Sequence, residues 1–210
     1  MIRVLNLYAG LGGNRALIPN QMHGTEIKIT SVELNHTIAR YYQQHYPSDE
    51  LVIGDAHDFL LNRFSDYDII WSSPPCQTHS RMAAGGRNRK PRYRDFKLYE
   101  EIDFLTRYFK GVWLVENVIP AYKPFYEYQK VGRHAYWSNT NLHSIIPTES
   151  PTGFGNLASA DEIADWLGID YEYNIYYDGN KCQKQVLRNC VHPKDGLAIF
   201  NLLFQEWSLI

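Results

Sequence analysis

Short apolar segments alternate with helical segments through residues 1–120. Five of them predict strands: Ile2–Leu7, Glu26–Val32, Leu51–Ile53, Ile69–Trp71 and Val112–Val115. Asn35 precedes an amphipathic segment and predicts a capped helix to about His45, and a second helix is predicted from about Lys97 to Phe109. This alternation predicts an α/β domain with a mostly parallel sheet and helices on both faces.

The pattern changes after Pro120. Residues 121–158 are rich in Tyr, Pro, Gly, Asn and Ser and show little periodicity, which predicts irregular structure. Three further elements are predicted: a short helix that begins with a capping box at Ser159 and ends at Gly168, an edge strand over 171–177, and a last helix from about Lys194 to Trp207.

The composition favours a soluble protein of a reducing compartment. Of the 210 residues 44% are hydrophobic, which is enough for a core. The odd, sparse set of Cys76, Cys182 and Cys190 argues against a disulfide framework, and its spacing does not suggest a metal site. The chain starts with a strand and has no apolar run of about 18 residues. We therefore expect a cytoplasmic protein with no signal peptide and no membrane span.

Chemically distinctive residues follow the predicted strands. Ligands of parallel α/β sheets bind outside the carboxyl ends of the strands, so residues at these ends are expected to share one cleft. The residues are Tyr8, Glu33, Asp55, Cys76 and Glu116.

The turn after the first strand predicts a nucleotide-like ligand. Gly10 and Gly12 would let the backbone approach a ligand closely, and Glu33 follows Gly12 by about 21 residues, a spacing typical of a carboxylate that binds ribose hydroxyls. An ordinary tight turn and a surface acid are the alternative. Asp55 would bind an adenine amino group or cap a helix, and the sequence leaves both open.

Cys76 follows a strand on a loop that Pro74 and Pro75 stiffen. Such a loop can present a nucleophile to a cleft, whereas a lone cysteine is otherwise usually a small buried hydrophobe. A basic stretch comes next, because residues 81–97 contain seven Lys or Arg and one Asp in a chain of net charge -2. This excess predicts contact with phosphates, and a solvated loop is the alternative.

In chain order these motifs resemble the DNA (cytosine-5)-methyltransferases, which use S-adenosylmethionine. The resemblance lies in the cofactor loop Leu7–Gly13, the acids in Val32-Glu33 and Gly54-Asp55, the nucleophile motif Pro74-Pro75-Cys76-Gln77, the carboxylate motif Glu116-Asn117-Val118 and the closing motif Leu187–Val191. Gly132-Arg133-His134 is a weaker likeness to the arginine motif. The resemblance implies a Rossmann-like S-adenosylmethionine-dependent methyltransferase fold.

The resemblance also implies roles for individual residues. Cys76 would add to carbon 6 of cytosine, and Glu116, with a raised pKa, would hold the ring at nitrogen 3 and the exocyclic amine. Arg133 would orient the base, and Asn117 would fix the loop that bears Cys76. Cofactor binding is implied for Tyr8, Gly10, Gly12, Glu33, Asp55, Pro75 and Asn189, and nucleic-acid contact for Gln77, Ser80, Arg81, Arg87, Arg89 and Lys90.

The chain departs from the family pattern in two places. Ala135 stands where the arginine motif would have a second arginine, and only about forty residues separate Asn139 from Gln185, where the family inserts a large recognition domain. We therefore divide the chain into a catalytic, cofactor-binding core (1–120), a reduced recognition region (121–184) and a C-terminal helix that returns to the core (185–210). The short region leaves three possibilities: the protein reads a very short site, it forms a homodimer to read DNA, or a partner subunit supplies site recognition.

The leading hypothesis is a compact enzyme that methylates carbon 5 of a cytosine flipped out of duplex DNA, as in restriction-modification. An RNA-directed enzyme of the same chemistry is the second hypothesis. A catalytically idle nucleic-acid-binding subunit is disfavoured because Cys76, Glu116 and Gly12 are all present. A nicotinamide-dependent oxidoreductase would need neither of the two catalytic motifs.

Overall fold

One eight-stranded sheet organises the residues that this computed structural model describes, which are 1–80, 93–154, 158–171, 175–177 and 182–210. Its strands are β1 (Ile2–Leu7), β2 (Gln21–Met22), β3 (Thr25–Glu33), β4 (Glu50–Ile53), β5 (Ile69–Ser72), β6 (Val112–Val118), β7 (Gln129–Val131) and β8 (His134–Ser138). The helices in the described residues are α1 (His36–His45), α2 (Ala56–Arg63), α3 (Lys97–Tyr108), α4 (Ala160–Leu167), α5 (Gln183–Arg188) and α6 (Pro193–Trp207).

The sheet is mixed, with a parallel centre. The strand order is β2-β3-β1-β5-β6-β8-β7, and β4 also pairs with β3. The pairings of β1 with β3 and β5, of β3 with β4 and of β5 with β6 are parallel, whereas β2, β7 and β8 pair antiparallel with their neighbours. The predicted mostly parallel sheet is therefore correct for the centre and wrong for the edges. The physical reason is that each edge is a hairpin: β2 with β3 and β7 with β8 are joined by two residues, and so short a connection permits only antiparallel pairing.

The five strands predicted from apolar segments are confirmed, and β2, β7 and β8 were not predicted. Strands β7 and β8 lie in the segment expected to be irregular, so the sheet continues beyond residue 120. The capping box of Ser159 with Glu162 and the left-handed Gly168 after α4 are confirmed. The edge strand over 171–177 lies partly outside the described residues and stays a prediction.

Helices cover both faces of the sheet, as predicted. One face packs against Ile199, Phe200 and Leu203 of α6, and the other packs against α2 and α3. A third cluster joins α1 to α4 and α5, with Ile38 and Leu187 fully buried in it. Within the described ranges, no helix has the length and apolarity needed to cross a membrane.

Candidate active site

A cavity of about 470 Å³ opens where β1, β3, β5 and β6 end. Its size falls within the range of ~300–1,000 Å³ typical of small-molecule sites. The predicted site residues that line it are Tyr8, Gly10, Glu33, Asp55, Pro75, Cys76, Gln77, Glu116, Asn117 and Asn189. The carboxyl ends of the parallel strands thus bring Tyr8, Cys76 and Glu116 together, as expected, and Asn189 joins them from the end of α5.

Gly12, Ser80 and Arg133 do not line this cavity. Glycine is needed at position 12 for two reasons. Its backbone is left-handed (φ 77°), and a Cβ there would lie 2.3 Å from the ring of Tyr46. Gly13 lines the cavity in its place, and a Cβ on Gly13 would lie 2.4 Å from a main-chain oxygen of the closing motif. Gly12 therefore lets the turn pack against an aromatic side chain, and its contact with the cofactor stays a prediction.

The guanidinium of Arg133 is buried beside the cavity and binds the main chain. It donates hydrogen bonds to the carbonyl oxygens of Arg188 (2.7 Å) and Cys190 (2.6 Å) and lies 4.3 Å from the ring centre of Phe154. Burial lowers its pKa, opposed first by the charge of Glu116. Arg133 therefore fastens the β7–β8 hairpin to the closing motif, and its contact with a target base stays a prediction.

The Cys76 thiol faces the closing motif. Its Sγ lies 3.7 Å from Oδ1 of Asn189, and the stiff loop that carries it is held by Asn117, whose Nδ2 donates to the Pro74 carbonyl at 2.9 Å. Burial, and then the nearby charge of Glu116, raise the pKa of Cys76 to about 11. The group is therefore a thiol at neutral pH, and it needs to lose a proton before it can act as a nucleophile.

Glu116 is a buried carboxyl at the end of β6. Burial raises its pKa from 4.5 to about 7, although the Ser73 hydroxyl and the charge of Arg133 oppose the shift. His134 lies 3.7 Å away through its Nδ1 atom, but burial and then Arg133 hold the pKa of His134 well below its ordinary value. The imidazole is therefore neutral, and Glu116 can carry a proton at neutral pH and donate it to a ligand.

Glu33 lines the cavity at the end of β3 and accepts hydrogen bonds from backbone amides. Its two carboxylate oxygens accept from the N–H groups of Gly10 (3.0 Å) and Asn35 (2.9 Å). Burial nevertheless raises its pKa. Because each carboxylate oxygen has two lone pairs, the remaining acceptor capacity can bind ribose hydroxyls.

Replacing Glu33 by alanine is expected to raise the dissociation constant for S-adenosylmethionine by at least about tenfold, because a hydrogen bond to a charged group contributes about 1.5–3 kcal/mol. Isothermal titration calorimetry measures the change. Glu26→Ala, an exposed carboxylate on the same strand, is the matched control and should bind as the unaltered protein does. An unchanged dissociation constant in the folded Glu33→Ala variant would contradict the assignment.

Of the two alternatives for Asp55, the helix cap is observed, and the contact with an adenine amino group stays a prediction. One oxygen caps α2 by accepting from the N–H groups of His57 and Asp58, and the other lies 3.4 Å from Nζ of Lys97. Burial raises the pKa of Asp55, but the backbone bonds and Lys97 outweigh it, so the pKa is lowered overall. Asp55 is therefore an ionised helix cap that also lines the cavity.

Some lining residues were not indicated by the sequence motifs. They include Lys97, Tyr177 and Arg188, and Tyr177 accepts a hydrogen bond from Asn189 through its hydroxyl (3.2 Å). Arg188 adjoins Asn189 in the closing motif, which was the available signal. The predicted phosphate contacts Arg81, Arg87, Arg89 and Lys90 lie outside the described residues.

A family model for C-5 cytosine-specific DNA methylases matches residues 2–125. The chain belongs to this family. Its cofactor is S-adenosylmethionine, and the lining fits that group, because two carboxylates and the Gly10 turn face one cavity of suitable size. The DNA methylase motifs predicted from the resemblance thus fall in the matched region as far as Glu116-Asn117-Val118.

Curated relatives of this DNA methylase family member are tRNA (cytosine(38)-C(5))-methyltransferases. The human protein is 27% identical over 121 residues, covering 56% of this chain and 30% of the relative, and the Mus musculus protein is 30% identical over 121 residues, covering 56% and 28%. The chain therefore spans less than a third of the length of these relatives.

Solved structures show the fold. The Entamoeba histolytica methyltransferase EhMeth aligns with a TM-score of 0.60 at 11% identity, covering 100% of this chain and 99% of that chain. The S. pombe Dnmt2 methyltransferase aligns with a TM-score of 0.57 at 15% identity, covering 97% and 98%. The predicted Rossmann-like methyltransferase fold is confirmed.

Proposed function

We propose that this protein transfers a methyl group from S-adenosylmethionine to carbon 5 of cytosine in DNA. The observation that carries the proposal is the pairing, in one cavity, of the Cys76 thiol with the Glu116 carboxyl, whose pKa is about 7. Glu33 and Asp55 line the same cavity and supply the cofactor side. A nucleophile, a proton donor and a cofactor-binding wall therefore surround one space.

The chemistry assigns a distinct task to each catalytic residue. Bound S-adenosylmethionine supplies an electrophilic methyl group. Glu116 donates its proton to nitrogen 3 of the ring while the Cys76 sulfur forms a bond to carbon 6, and carbon 5 thereby becomes nucleophilic. Once carbon 5 has taken the methyl group, the demethylated thioether form of the cofactor is left behind. The carbon 5 proton is then lost to solvent, the sulfur–carbon bond breaks to release the Cys76 thiolate and restore the ring double bond, and nitrogen 3 returns its proton to Glu116. Asn117 keeps the Cys76 loop in place through the Pro74 carbonyl.

The cavity requires an unstacked base. Cys76 and Glu116 are both largely buried, so a cytosine within a duplex cannot contact them. Enzymes that act on bases pay a few kcal/mol to extrude the target nucleotide into such a cavity. The proposed substrate is therefore duplex DNA with the target cytosine flipped out. Gln77 at the cavity wall is proposed to contact the DNA. The basic stretch 81–97 is proposed to contact phosphates. We also propose that a second copy or a partner subunit contributes to site recognition.

A second candidate is methylation of cytosine in RNA. It is favoured by the curated relatives, which are tRNA methyltransferases, although the matched region is under a third of their length. The catalytic chemistry proposed for Cys76 and Glu116 is the same for both nucleic acids. The two candidates therefore differ only in the substrate presented to the cavity.

Trapping with 5-fluorocytosine separates these candidates. A fluorine at carbon 5 cannot leave as a proton does, so the Cys76 adduct persists and is seen as a shifted band on a denaturing gel. We expect an adduct with a pool of random-sequence duplex DNA plus S-adenosylmethionine, and none with 5-fluorocytidine transcripts of tRNA. An adduct with RNA alone would replace the proposal by the second candidate. The absence of any adduct, with S-adenosylmethionine shown to bind, would refute the chemistry.

A further inference from the structure

A fully buried carboxylate lies beneath the cofactor side of the cavity. Glu101, in the first part of α3, has 0% of its surface exposed. Its Oε1 accepts from the Tyr8 hydroxyl (2.6 Å) and from Nδ1 of His57 (3.0 Å), and its Oε2 accepts from the Ser72 hydroxyl (2.5 Å). A buried carboxylate is costly unless it is paired and hydrogen-bonded, and these three donors supply that compensation.

The three donors come from three separate elements around the cavity. Tyr8 follows β1 and itself lines the cavity. His57 is in the first turn of α2, next to the lining residues Asp55 and Ala56. Ser72 ends β5, just before the loop that carries Cys76. One carboxylate thus joins segments that are remote in sequence. None of them lies on the helix that carries Glu101, so the contacts fix tertiary geometry and not the helix itself.

Tyr8 is the most strained of these partners. Its φ is 57°, a left-handed conformation that is unusual for a residue other than glycine and costs about 1–3 kcal/mol where it occurs. Burial and then Glu101 raise the pKa of Tyr8, so the hydroxyl stays protonated and can only donate to the carboxylate. The hydroxyl is therefore committed to Glu101, and the ring and backbone of Tyr8 are what a ligand meets.

His57 strengthens the same arrangement. The hydrogen bond to Glu101 is the main cause that raises the pKa of His57, and burial opposes it. Glu100 lies 3.5 Å from the other ring nitrogen, but its side chain is 59% exposed. Glu100 and Glu101 are therefore adjacent acids on one helix that contact the same imidazole. Of the two, Glu101 also accepts the hydrogen bond from Tyr8.

We propose that Glu101 is a positioning residue for S-adenosylmethionine, which holds Tyr8 and the start of α2 in the shape that the cofactor requires. Glu101 does not line the cavity, so it acts through its partners. A wall fixed in advance loses less conformational freedom when the ligand binds, and affinity rises for that reason. The inference rests on cofactor binding, which belongs to the proposed function but does not depend on which nucleic acid is methylated.

The test compares Tyr8→Phe, Glu101→Gln and the double variant by calorimetric titration with S-adenosylmethionine alone. We expect each single variant to raise the dissociation constant about tenfold, and the double variant to bind no more than about twofold worse than either single one, because both changes remove the same contact. In steady-state assays Glu101→Gln should raise the KM for S-adenosylmethionine more than it lowers kcat. Glu100→Gln is the matched control, with the same change on the same helix, and should bind as the unaltered protein does.

The alternative is that Glu101 only supports the fold. In that case both variants would unfold at lower temperature yet bind the cofactor normally when folded, and the inference would be overturned. Strictly additive effects of the two changes would also overturn it. If the unaltered protein itself failed to bind S-adenosylmethionine, the proposed function would fail instead, so the two failures are distinguishable.

Discussion

Cys76→Ser is expected to lower the rate of methyl transfer by at least about 1,000-fold, since removal of a covalent nucleophile commonly costs ~10⁶-fold. A serine hydroxyl ionises far less readily than a thiol, even one whose pKa burial has raised to about 11. The binding of S-adenosylmethionine should be unchanged, because the cofactor contacts assigned to Glu33 and Asp55 remain. Transfer of labelled methyl to DNA measures the rate, and calorimetry measures the binding.

Cys190→Ser is the matched control for that variant. Cys190 is a buried free thiol that lines the same cavity, and its Sγ contacts the Val186 carbonyl. We expect its effect to be on stability, with methyl transfer retained in the folded protein. A Cys76→Ser variant that kept a tenth or more of the rate would show that no covalent step occurs at this sulfur.

Glu116→Gln is expected to lower kcat/KM by about 10²–10⁴-fold at pH 7, the usual contribution of a general acid. The effect of this substitution on the pH dependence of kcat/KM is more specific to a proton donor. Because Glu116 has a pKa of about 7 and Cys76 one of about 11, the reactive form pairs a protonated Glu116 with a Cys76 thiolate. Its population rises about tenfold per pH unit below pH 7 and is constant between the two pKa values.

The Glu116→Gln variant should lose the pH range above 7 in which kcat/KM of the unaltered protein is constant. With glutamine at position 116 only the thiol titrates, so kcat/KM should continue to rise about tenfold per pH unit from pH 7 to pH 9. The ratio of the unaltered protein to the variant should then fall by the same factor per unit. A variant with the same plateau as the unaltered protein would show that Glu116 is not the proton donor.

Thermal unfolding of Glu116→Gln is a control for misfolding, because the substitution that lowers activity is expected to raise stability at high pH. The raised pKa of Glu116 means that the unfolded chain loses its proton at lower pH than the folded one, so the folded state is progressively destabilised as pH rises from 4.5 to about 7. The pKa difference of 7 − 4.5 corresponds to about 3 kcal/mol. Glu116→Gln should remove this pH dependence. Reduced activity with raised stability at pH 8 would exclude misfolding as the cause.

The central strands and the residues at their ends were predictable because both depend on local sequence. Apolar segments define β1, β5 and β6, and the carboxyl-end rule for parallel sheets then places Cys76 and Glu116 in one cleft. Strands β7 and β8 were not predictable in this way. Gln129–Val131 is short and mostly polar, and it is a strand only because it pairs with β8, whose own partner is β6.

The contacts that were missed in the site are the long-range ones. The partners of Arg133 are main-chain carbonyls 55 and 57 positions away. Because every residue has a carbonyl oxygen, the sequence does not indicate which one a side chain will bind. The partner of Tyr8 is Glu101, 93 positions away, in a helix whose charged residues otherwise suggest solvent exposure. The motifs therefore predicted which side chains share the cavity, whereas the contacts that hold these side chains in place depend on the folded chain.

The contact of Gly13 with the Val191 carbonyl has a thermodynamic consequence. The cofactor loop at one end of the chain packs directly on the closing motif near the other end, so the cavity is complete only when both are docked. An unfolded or partly folded chain has no such cavity, and S-adenosylmethionine then binds the native state alone. At a hundred times its dissociation constant a ligand of this kind adds about 2.7 kcal/mol to the free energy of unfolding. The methyl donor is thereby also expected to stabilise the fold, and the free energy of unfolding should rise with its concentration.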